Sequence, residues 1–302
     1  MKTLDKLVTD FLEYLEVERG RSQKTIENYD HYLRRFLKWA EIANPSQITV
    51  ELVRKYRLYL NRLKGPGNET MKPITQNYHI IALRSFLKYL ARRDIKSLAA
   101  EKLELAKIPE RQVSFLEKEE LERLLAAPSG NKISDLRDRA ILELLFSTGM
   151  RVSELCSLDR KSINLKRDEF SVRGKGGRVR IVFLSETARA ALKEYLDKRT
   201  DVDKALFVRE VKKSEPNADL RLTPRSVQRI IKKYAAKAGL TKKVTPHTLR
   251  HTFGTDLLLS GADIRSVQEM LGHKSVTTTQ IYTHITDKEL RNVYQKFHGK
   301  RK

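Results

Sequence analysis

Residues Thr245 to His284 read TPHTLRHTFGTDLLLSGADIRSVQEMLGHKSVTTTQIYTH. Thr245 and Pro246 predict the N-cap and first position of a helix, because threonine caps well and proline needs no amide partner there. His247 and Arg250 then fall one turn apart on the same face of that helix. Two cations on one face repel each other unless an anion lies beside them. The spacing therefore indicates a phosphate site at the start of this helix.

The second half of this stretch adds another imidazole and a phenol. Gly261 and Gly272 each follow an apolar helical pattern and predict helix ends. His273 comes next in a Leu-Gly-His turn, and Tyr282 follows further along. Taken alone, Tyr282 is most simply a packed core tyrosine, since the chain has 11 of them. With cations around it, a tyrosine can instead act as a nucleophile toward phosphorus.

An arginine upstream has a setting that matches this chemistry. In TGMRVSEL (Thr148–Leu155), Gly149 predicts the end of one helix and Arg151 the start of the next. Glu154 lies one turn after Arg151, where its carboxylate can hold one edge of the guanidinium while the other edge faces a phosphate. From these eight residues alone, an ordinary surface salt bridge is the simpler interpretation.

A β-hairpin is predicted at Phe170–Leu184, FSVRGKGGRVRIVFL, which alternates on both sides of a Gly-Lys-Gly-Gly centre. Lys175 lies at the turn, where its ammonium could reach a ligand, although a solvated hairpin lysine is an equally plain interpretation. The nucleotide-binding spacing G-x-x-x-x-G-K-[ST] is absent. Strand alternation puts three apolar residues on one face and two arginines on the other: Val179, Ile181 and Phe183 against Arg178 and Arg180.

The remaining sequence predicts two mainly helical blocks. Residues 1 to about 108 carry helical apolar periodicity and predict an all-α domain of four to five helices. Its last helix, Thr75–Arg92, is expected to turn Tyr78 inward with other apolar residues. Leu105–Ser114 loses the periodicity and predicts a linker. Residues 113–302 predict further helices around the hairpin, so the expected fold is mainly α with a small β-sheet.

Composition limits the possible partners. The 302 residues include 61 Lys+Arg and 38 Asp+Glu, a net charge of +23 that indicates a polyanionic partner. No apolar run approaches the roughly 20 residues of a membrane span, and the N-terminus has no signal-peptide core. The one cysteine, Cys156, excludes an internal disulfide and a cysteine-based zinc site. His247 and His251 lack the glutamate of H-E-x-x-H, so no metal is expected.

Taken together, these motifs resemble the tyrosine recombinases, the lambda-integrase family, and most of all their Xer branch. The resemblance rests on six residues in the family's order and settings: Arg151, Lys175, His247, Arg250, His273 and Tyr282. It implies a SAM-like helical core-binding domain at 1–108 and an α-rich catalytic domain at 113–302, closing as a C-shaped clamp on DNA. Phe183 replaces a usual proline and Gly254 a common alanine, and neither departure touches the chemistry.

The family's chemistry implies a role for each residue. Tyr282 would be the nucleophile that forms a 3′-phosphotyrosine, with His247 as its general base. Arg151 and Arg250 would bind the non-bridging oxygens, and Glu154 would orient Arg151. Lys175 would protonate the leaving 5′-oxygen, and His273 would donate a hydrogen bond to the phosphate. No cofactor, metal ion or ATP is expected.

The resemblance also implies partners. These are double-stranded DNA with a specific recombination site, and a homo-tetramer on two such sites that exchanges strands through a four-way junction. A paralogous recombinase could share the tetramer. Thr286–Phe297 predicts a capped helix with an apolar stripe, a candidate for the piece passed to a neighbour. The expected location is the cytoplasm, at the nucleoid.

Other protein classes stay open at this point. A type IB topoisomerase uses similar residues, but it relaxes supercoils without site preference. A non-catalytic helix-turn-helix protein explains the charge but gives no reason for Tyr282, Lys175 and two arginines together. A metal-dependent nuclease predicts clustered carboxylates. Within the recombinases, the motifs do not separate a resolvase of chromosome or plasmid dimers from a phage or transposon integrase, although the short chain favours the resolvase.

Overall fold

A computed structural model describes residues 3–65, 67–108, 114–174, 177–210 and 220–272. The chain divides into two compact units, Met1–Glu110 and Arg111–Lys302. Each has its own cluster of buried apolar side chains. Across the described residues the protein is mainly helical, with a small two-stranded sheet, so the predicted fold class is confirmed.

The first unit is all-α. It contains α1 (Leu4–Val17), α2 (Gln23–Ala40), α3 (Val50–Arg62) and α4 (Pro73–Ala91), with short 3-10 turns at Pro45–Gln47 and Ala100–Lys102. Helix α4 packs against the other three, so nearly all of its circumference is buried. Tyr78 lies 46% exposed, so its predicted inward position is wrong. The neighbours His79 and Ile80 occupy the core side instead.

The start of the predicted linker is held against the first unit. The Asn77 side chain on α4 donates from Nδ2 to the Ala106 carbonyl (2.8 Å) and accepts from the Ala106 amide (3.1 Å). Asn77 is buried, so this pair satisfies polar groups that water does not reach. Residues 105–108 have no regular structure, as predicted, and 109–113 lie outside the described residues.

The second unit is built around one central helix, α6. Its elements are α5 (Lys118–Ala126), α6 (Ile133–Thr148), α7 (Val152–Ser157), β1 (Glu169–Arg173), β2 (Val179–Phe183), α8 (Glu186–Asp197), α9 (Pro224–Lys237), α10 (Pro246–Leu259) and α11 (Ile264–Leu271), with a 3-10 turn at Arg160–Ser162. Helices α8, α9 and α10 and strand β2 all pack on α6. The C-terminal end of α6 therefore lies where these elements meet.

The hairpin turns an unexpected face outward. Strands β1 and β2 are antiparallel, with Glu169 opposite Phe183 and Arg173 opposite Val179. On β2, Val182 is buried and Arg180 is largely buried, with 11% of its side chain exposed. The apolar residues Val179, Ile181 and Phe183 are 60%, 51% and 51% exposed. The strand thus buries an arginine and leaves an apolar stripe at the surface, the reverse of the usual arrangement.

Candidate active site

Arg151 lies directly after the sharp turn that ends α6. Gly149 adopts φ +57°, a left-handed conformation that glycine reaches without a Cβ penalty. Arg151 is the N-cap of α7, and its amide donates to Glu154 Oε2 at 2.8 Å. Its side chain donates from Nη1 to Glu154 Oε1 (3.0 Å) and from Nη2 to the carbonyl of Gly272 (3.2 Å). These contacts fix the guanidinium at the junction of α7 and α11.

Glu154 is a buried carboxylate rather than part of a surface salt bridge. Only 4% of it is exposed, and it accepts two hydrogen bonds from Arg151 and two from Arg180. Burial alone would raise the pKa of Glu154. The hydrogen bond and charge of Arg180, with the backbone and side-chain hydrogen bonds from Arg151, outweigh burial and lower that pKa to about 2. Glu154 therefore stays ionised at neutral pH and holds both guanidiniums.

Arg250 reaches the same place from the first turns of α10. The Thr245 hydroxyl caps this helix by accepting from the Thr248 amide, as the sequence predicts. Arg250 is only 3% exposed. Its Nη1 donates to the Gly149 carbonyl at 2.6 Å, and its Nη2 donates to the Leu271 carbonyl. Arg250 thus connects the ends of α6 and α11.

Three guanidiniums meet at the C-terminal end of α11. Arg180, Arg250 and Arg151 donate, in that order, to the successive carbonyls of Met270, Leu271 and Gly272. These carbonyls have no partner within the helix, and the helix dipole makes this end negative. Glu154, a described carboxylate bonded to two of the three arginines, offsets part of this positive charge, and the guanidinium forks suit a phosphate.

The structure brings together three of the predicted residues, Arg151, Glu154 and Arg250. His247 lies exposed in the first turn of α10, one turn before Arg250. Lys175, His273 and Tyr282 lie outside the described residues, as does the predicted helix Thr286–Phe297.

Arg180 is the residue that the sequence interpretation missed. Its only signal was the hairpin alternation, which separates Arg178 and Arg180 from the apolar face. The sequence does not tell which of the two faces is buried. The structure buries Arg180 against α7 and α11, with contacts to Glu154 and Met270, while Arg178 stays exposed.

Two surface hollows lie elsewhere in the described residues. In the second unit, a cavity of about 320 Å³ has a mainly apolar lining that includes Ile181, Phe183, Phe253, Leu257 and Met270. In the first unit, a hollow of about 630 Å³ on α2 and α3 has a mainly polar and basic lining, namely Asp30, His31, Arg34, Arg35, Lys38, Trp39 and Tyr59.

The described residues show neither a metal-binding cluster nor a membrane-spanning helix. No group of three or more His, Cys, Asp or Glu side chains there could hold a metal ion. Among the same residues, no helix is both long and apolar enough to cross a membrane.

Comparisons with known proteins show the family of the chain. The Phage integrase family matches residues 114–289, and the phage integrase N-terminal SAM-like domain matches residues 8–94. Tyrosine recombinase XerC of Thermodesulfovibrio yellowstonii is 39% identical over 96% of this chain and 95% of its own length. Tyrosine recombinase XerA of Pyrococcus furiosus is 38% identical over 98% and 95%.

Solved structures show the same fold. A crystal structure of XerA recombinase matches with 34% identity and a TM-score of 0.53, over 99% of both chains. XerH recombinase bound to its palindromic difH substrate matches with a TM-score of 0.70 over 95% of this chain and 84% of that one. At 23% identity, the XerH match speaks for the fold alone.

The integrase domain, the SAM-like domain before it and the full-length relatives identify the chain as a DNA recombinase. The chain belongs to the phage integrase family, and its curated relatives are tyrosine recombinases of the Xer type. The family and the recombinase function predicted from the sequence are confirmed.

Proposed function

We propose that this protein cuts and rejoins duplex DNA at a specific site through a 3′-phosphotyrosine intermediate. The observation that carries the proposal is the convergence of Arg151 and Arg250 on the end of α11, next in sequence to His273. Two fixed guanidiniums, held by a buried carboxylate and by backbone carbonyls, form a preorganised site for a phosphodiester. Preorganised donors are worth most where negative charge develops during reaction.

The step balances without a cofactor. The Tyr282 phenol gives its proton to His247, and its oxygen attacks phosphorus. The bond from phosphorus to the 5′-oxygen breaks, and Lys175 gives that oxygen a proton. A free tyrosine has a pKa near 10, so nearby cations help it to ionise.

The arginines and His273 act on the phosphate itself. Arg151 and Arg250 stabilise the additional charge on the non-bridging oxygens, and His273 donates a hydrogen bond. Since the phosphotyrosine conserves the energy of the broken bond, rejoining needs neither ATP nor a metal ion.

Both units are proposed to bind DNA, with the core-binding unit at 1–108 and the catalytic unit at 113–302. The net charge of +23 supports a phosphate-driven interaction. The basic hollow on α2, with Arg35 and Lys38, is a natural contact for the first unit. The two units would close around the duplex as a C-shaped clamp, and the protein would act in the cytoplasm, at the nucleoid.

We further propose a tetramer on two DNA sites that passes through a Holliday junction. A lambda integrase tetramer bound to a Holliday junction shares the fold. The apolar hollow beside Phe183 and Phe253 gives a place for the apolar stripe of Thr286–Phe297 from a neighbouring copy. The Xer-type relatives favour resolution of chromosome or plasmid dimers over integration of a mobile element.

Covalent trapping tests the proposal. Wild type and Tyr282→Phe are mixed with supercoiled DNA of the source organism in EDTA and quenched with SDS. We expect protein attached to DNA only with the wild type. Sequencing the attached DNA gives the site, and recovery of one chromosomal site supports dimer resolution. An adduct that persists in Tyr282→Phe, or that needs Mg²⁺, would contradict the mechanism.

A further inference from the structure

Arg180 touches two parts of the candidate active site at once. Its Nη1 and Nη2 donate to the two oxygens of Glu154 at 2.9 and 2.8 Å, and its Nε donates to the Met270 carbonyl at 3.0 Å. All three nitrogens of its guanidinium are used, and the group points at protein atoms rather than at an open site.

The Glu154 carboxylate transmits this contact to Arg151. Both of its oxygens accept from Arg151 as well as from Arg180, so one buried carboxylate lies between two guanidiniums. Without Arg180, Glu154 would keep a single cationic partner in a buried environment. The close packing leaves little room for movement, since a Cβ on Gly174 would lie 3.2 Å from Glu154 Oε1.

The second contact of Arg180 fixes the end of α11. The Met270 carbonyl lies two residues before Gly272, which accepts from Arg151 and precedes His273 in sequence. A Cβ on Gly272 would lie 3.2 Å from the Arg180 side chain, so the two are in direct contact. Arg180 therefore holds both Glu154, which pairs with Arg151, and the end of α11, which precedes His273 in sequence.

We propose that Arg180 is a positioning residue, which orients Arg151 through Glu154 and fixes the end of α11 through Met270. The inference rests on the proposed function, because it assigns Arg180 to the same phosphodiester chemistry. Arg180 does not touch the phosphate in this account. It acts by keeping Arg151 in the geometry that binds the reacting phosphate.

Arg139 is a matched control in the same unit. It also holds one backbone carbonyl and one carboxylate, through bonds to the Pro128 carbonyl (3.0 and 2.9 Å) and to Glu194 (3.2 Å). None of these groups belongs to the candidate site. If arginines of this kind serve only to stabilise the fold, Arg139→Gln and Arg180→Gln should affect the reaction equally.

The experiment measures single-turnover cleavage of a duplex that carries the site recovered from the trapped adducts. The proteins are wild type, Arg180→Gln, Arg180→Lys, Glu154→Gln, the double variant and Arg139→Gln, each at saturating concentration. We expect Arg180→Gln to slow cleavage about 10- to 100-fold, the usual cost of losing a supporting partner. The Kd for DNA should change less than about threefold, and Arg139→Gln should cleave within about twofold of wild type.

Two further readouts separate positioning from stability. If Arg180 acts mainly through Glu154, the double variant should cleave about as fast as Glu154→Gln alone. Loss of Arg180 also removes a hydrogen bond that favours the ionised carboxylate. Acidification from pH 6 to pH 3 should therefore cost Arg180→Gln less free energy of unfolding than it costs wild type, and this contribution should be absent from both Glu154→Gln and the double variant.

The outcomes are distinct. Cleavage by Arg180→Gln at the wild-type rate would overturn the positioning role. So would a double variant whose loss of cleavage rate equals the product of the two single losses. The role would also be overturned if Arg139→Gln and Arg180→Gln slowed cleavage equally and in proportion to their loss of thermal stability. If the wild type itself forms no Tyr282-dependent adduct, the proposed function fails, and this inference fails with it.

Discussion

At the scale of single residues, Glu154 is the group on which most of the described site depends. Its depressed pKa means that the folded state favours the ionised carboxylate more than the unfolded state does. That stability is fully present above the ordinary glutamate pKa of about 4.5 and is lost as pH falls toward about 2. The full contribution is on the order of 3 kcal/mol.

The prediction concerns the free energy of unfolding of wild type and Glu154→Gln. Between pH 6 and pH 3, wild type should lose about 2 kcal/mol more than the variant, because only wild type takes up a proton at this position. Urea unfolding followed by circular dichroism at both pH values measures the difference. Glu120→Gln serves as control, since Glu120 makes a more exposed pair with Lys242. Equal losses of unfolding free energy in wild type and Glu154→Gln would contradict the conclusion that Glu154 is buried and ionised.

His79 in the first unit is predicted to stay neutral well below the usual histidine range. Burial, then the charges of Arg35 and His31, lower the pKa of His79 to about 4. Its Nδ1 lies 3.0 Å from the Tyr56 hydroxyl. The unfolded chain binds a proton near pH 6.5 and the folded chain does not, so stability falls as pH drops from about 6.5 toward 4.

Nuclear magnetic resonance of the histidine ring signals tests this prediction, with His79→Gln used for assignment. At pH 5.5 the His79 ring should still show the shifts of neutral imidazole. A titration midpoint for His79 above pH 5.5 would mean that the ring is exposed or paired with an acid.

At the scale of elements, helix ends place the functional side chains. Arg151 follows the end of α6, and the carbonyl of Gly149, the residue directly after this helix, accepts from Arg250. Gly149 has φ +57°, and a Cβ there would lie 2.4 Å from the Phe253 ring. Gly239 follows α9 with φ +69° but has nothing within 4 Å of a Cβ position. Alanine substitutions at the two positions therefore separate the free-energy cost of a left-handed backbone from the cost of steric overlap with Phe253.

Gly149→Ala should lower the free energy of unfolding by about 2–4 kcal/mol, because left-handed backbone and overpacking both oppose the new methyl group. Gly239→Ala should cost about 1 kcal/mol, from backbone conformation alone. Denaturant titration gives both numbers. Gly149→Ala should also slow DNA cleavage, since its carbonyl positions Arg250. Equal costs at the two glycines would show that the α6 end can relax around the methyl group.

The sequence predicts a structural feature well when the residues that determine it are neighbours in the chain. The start of α10 follows from Thr245 as its cap, and the ends of α10 and α11 follow from Gly261 and Gly272, as the sequence predicts. The role of Arg180 and the exposure of Tyr78 were not predicted. Both depend on which face of an element meets its neighbours, and that is set by packing between residues distant in sequence.

The same distinction applies within the candidate site. The sequence pairs Arg151 with Glu154 because both lie on one helical turn. It gives no indication that Arg180 and the end of α11 complete that pair, because these partners come from other elements. Lys175, His273 and Tyr282 stay predictions from their motifs.

At the scale of the whole molecule, the two units have separate cores, with Phe11, Phe36 and Phe86 in one and Leu145, Tyr195 and Ile231 in the other. We expect fragments 1–110 and 111–302 each to fold and to unfold cooperatively. If both units contact DNA phosphates, both fragments should bind a 30-bp duplex of arbitrary sequence, each more weakly than the full chain. In the full chain the two units are covalently linked, so binding of one unit makes binding of the other intramolecular and raises the overall affinity.

The salt dependence of binding makes this quantitative. Each phosphate contact adds about 0.9 to the slope of log affinity against log salt, so the slopes of the two fragments should sum to that of the full chain. Fluorescence anisotropy between 50 and 300 mM KCl measures all three slopes. A full-chain slope equal to that of fragment 111–302 would mean that the first unit makes no phosphate contacts, and would contradict its proposed role as a DNA-binding domain. A summed slope, with affinity of the tethered chain far above that of the mixed fragments, is the result expected of two lobes that grip one duplex.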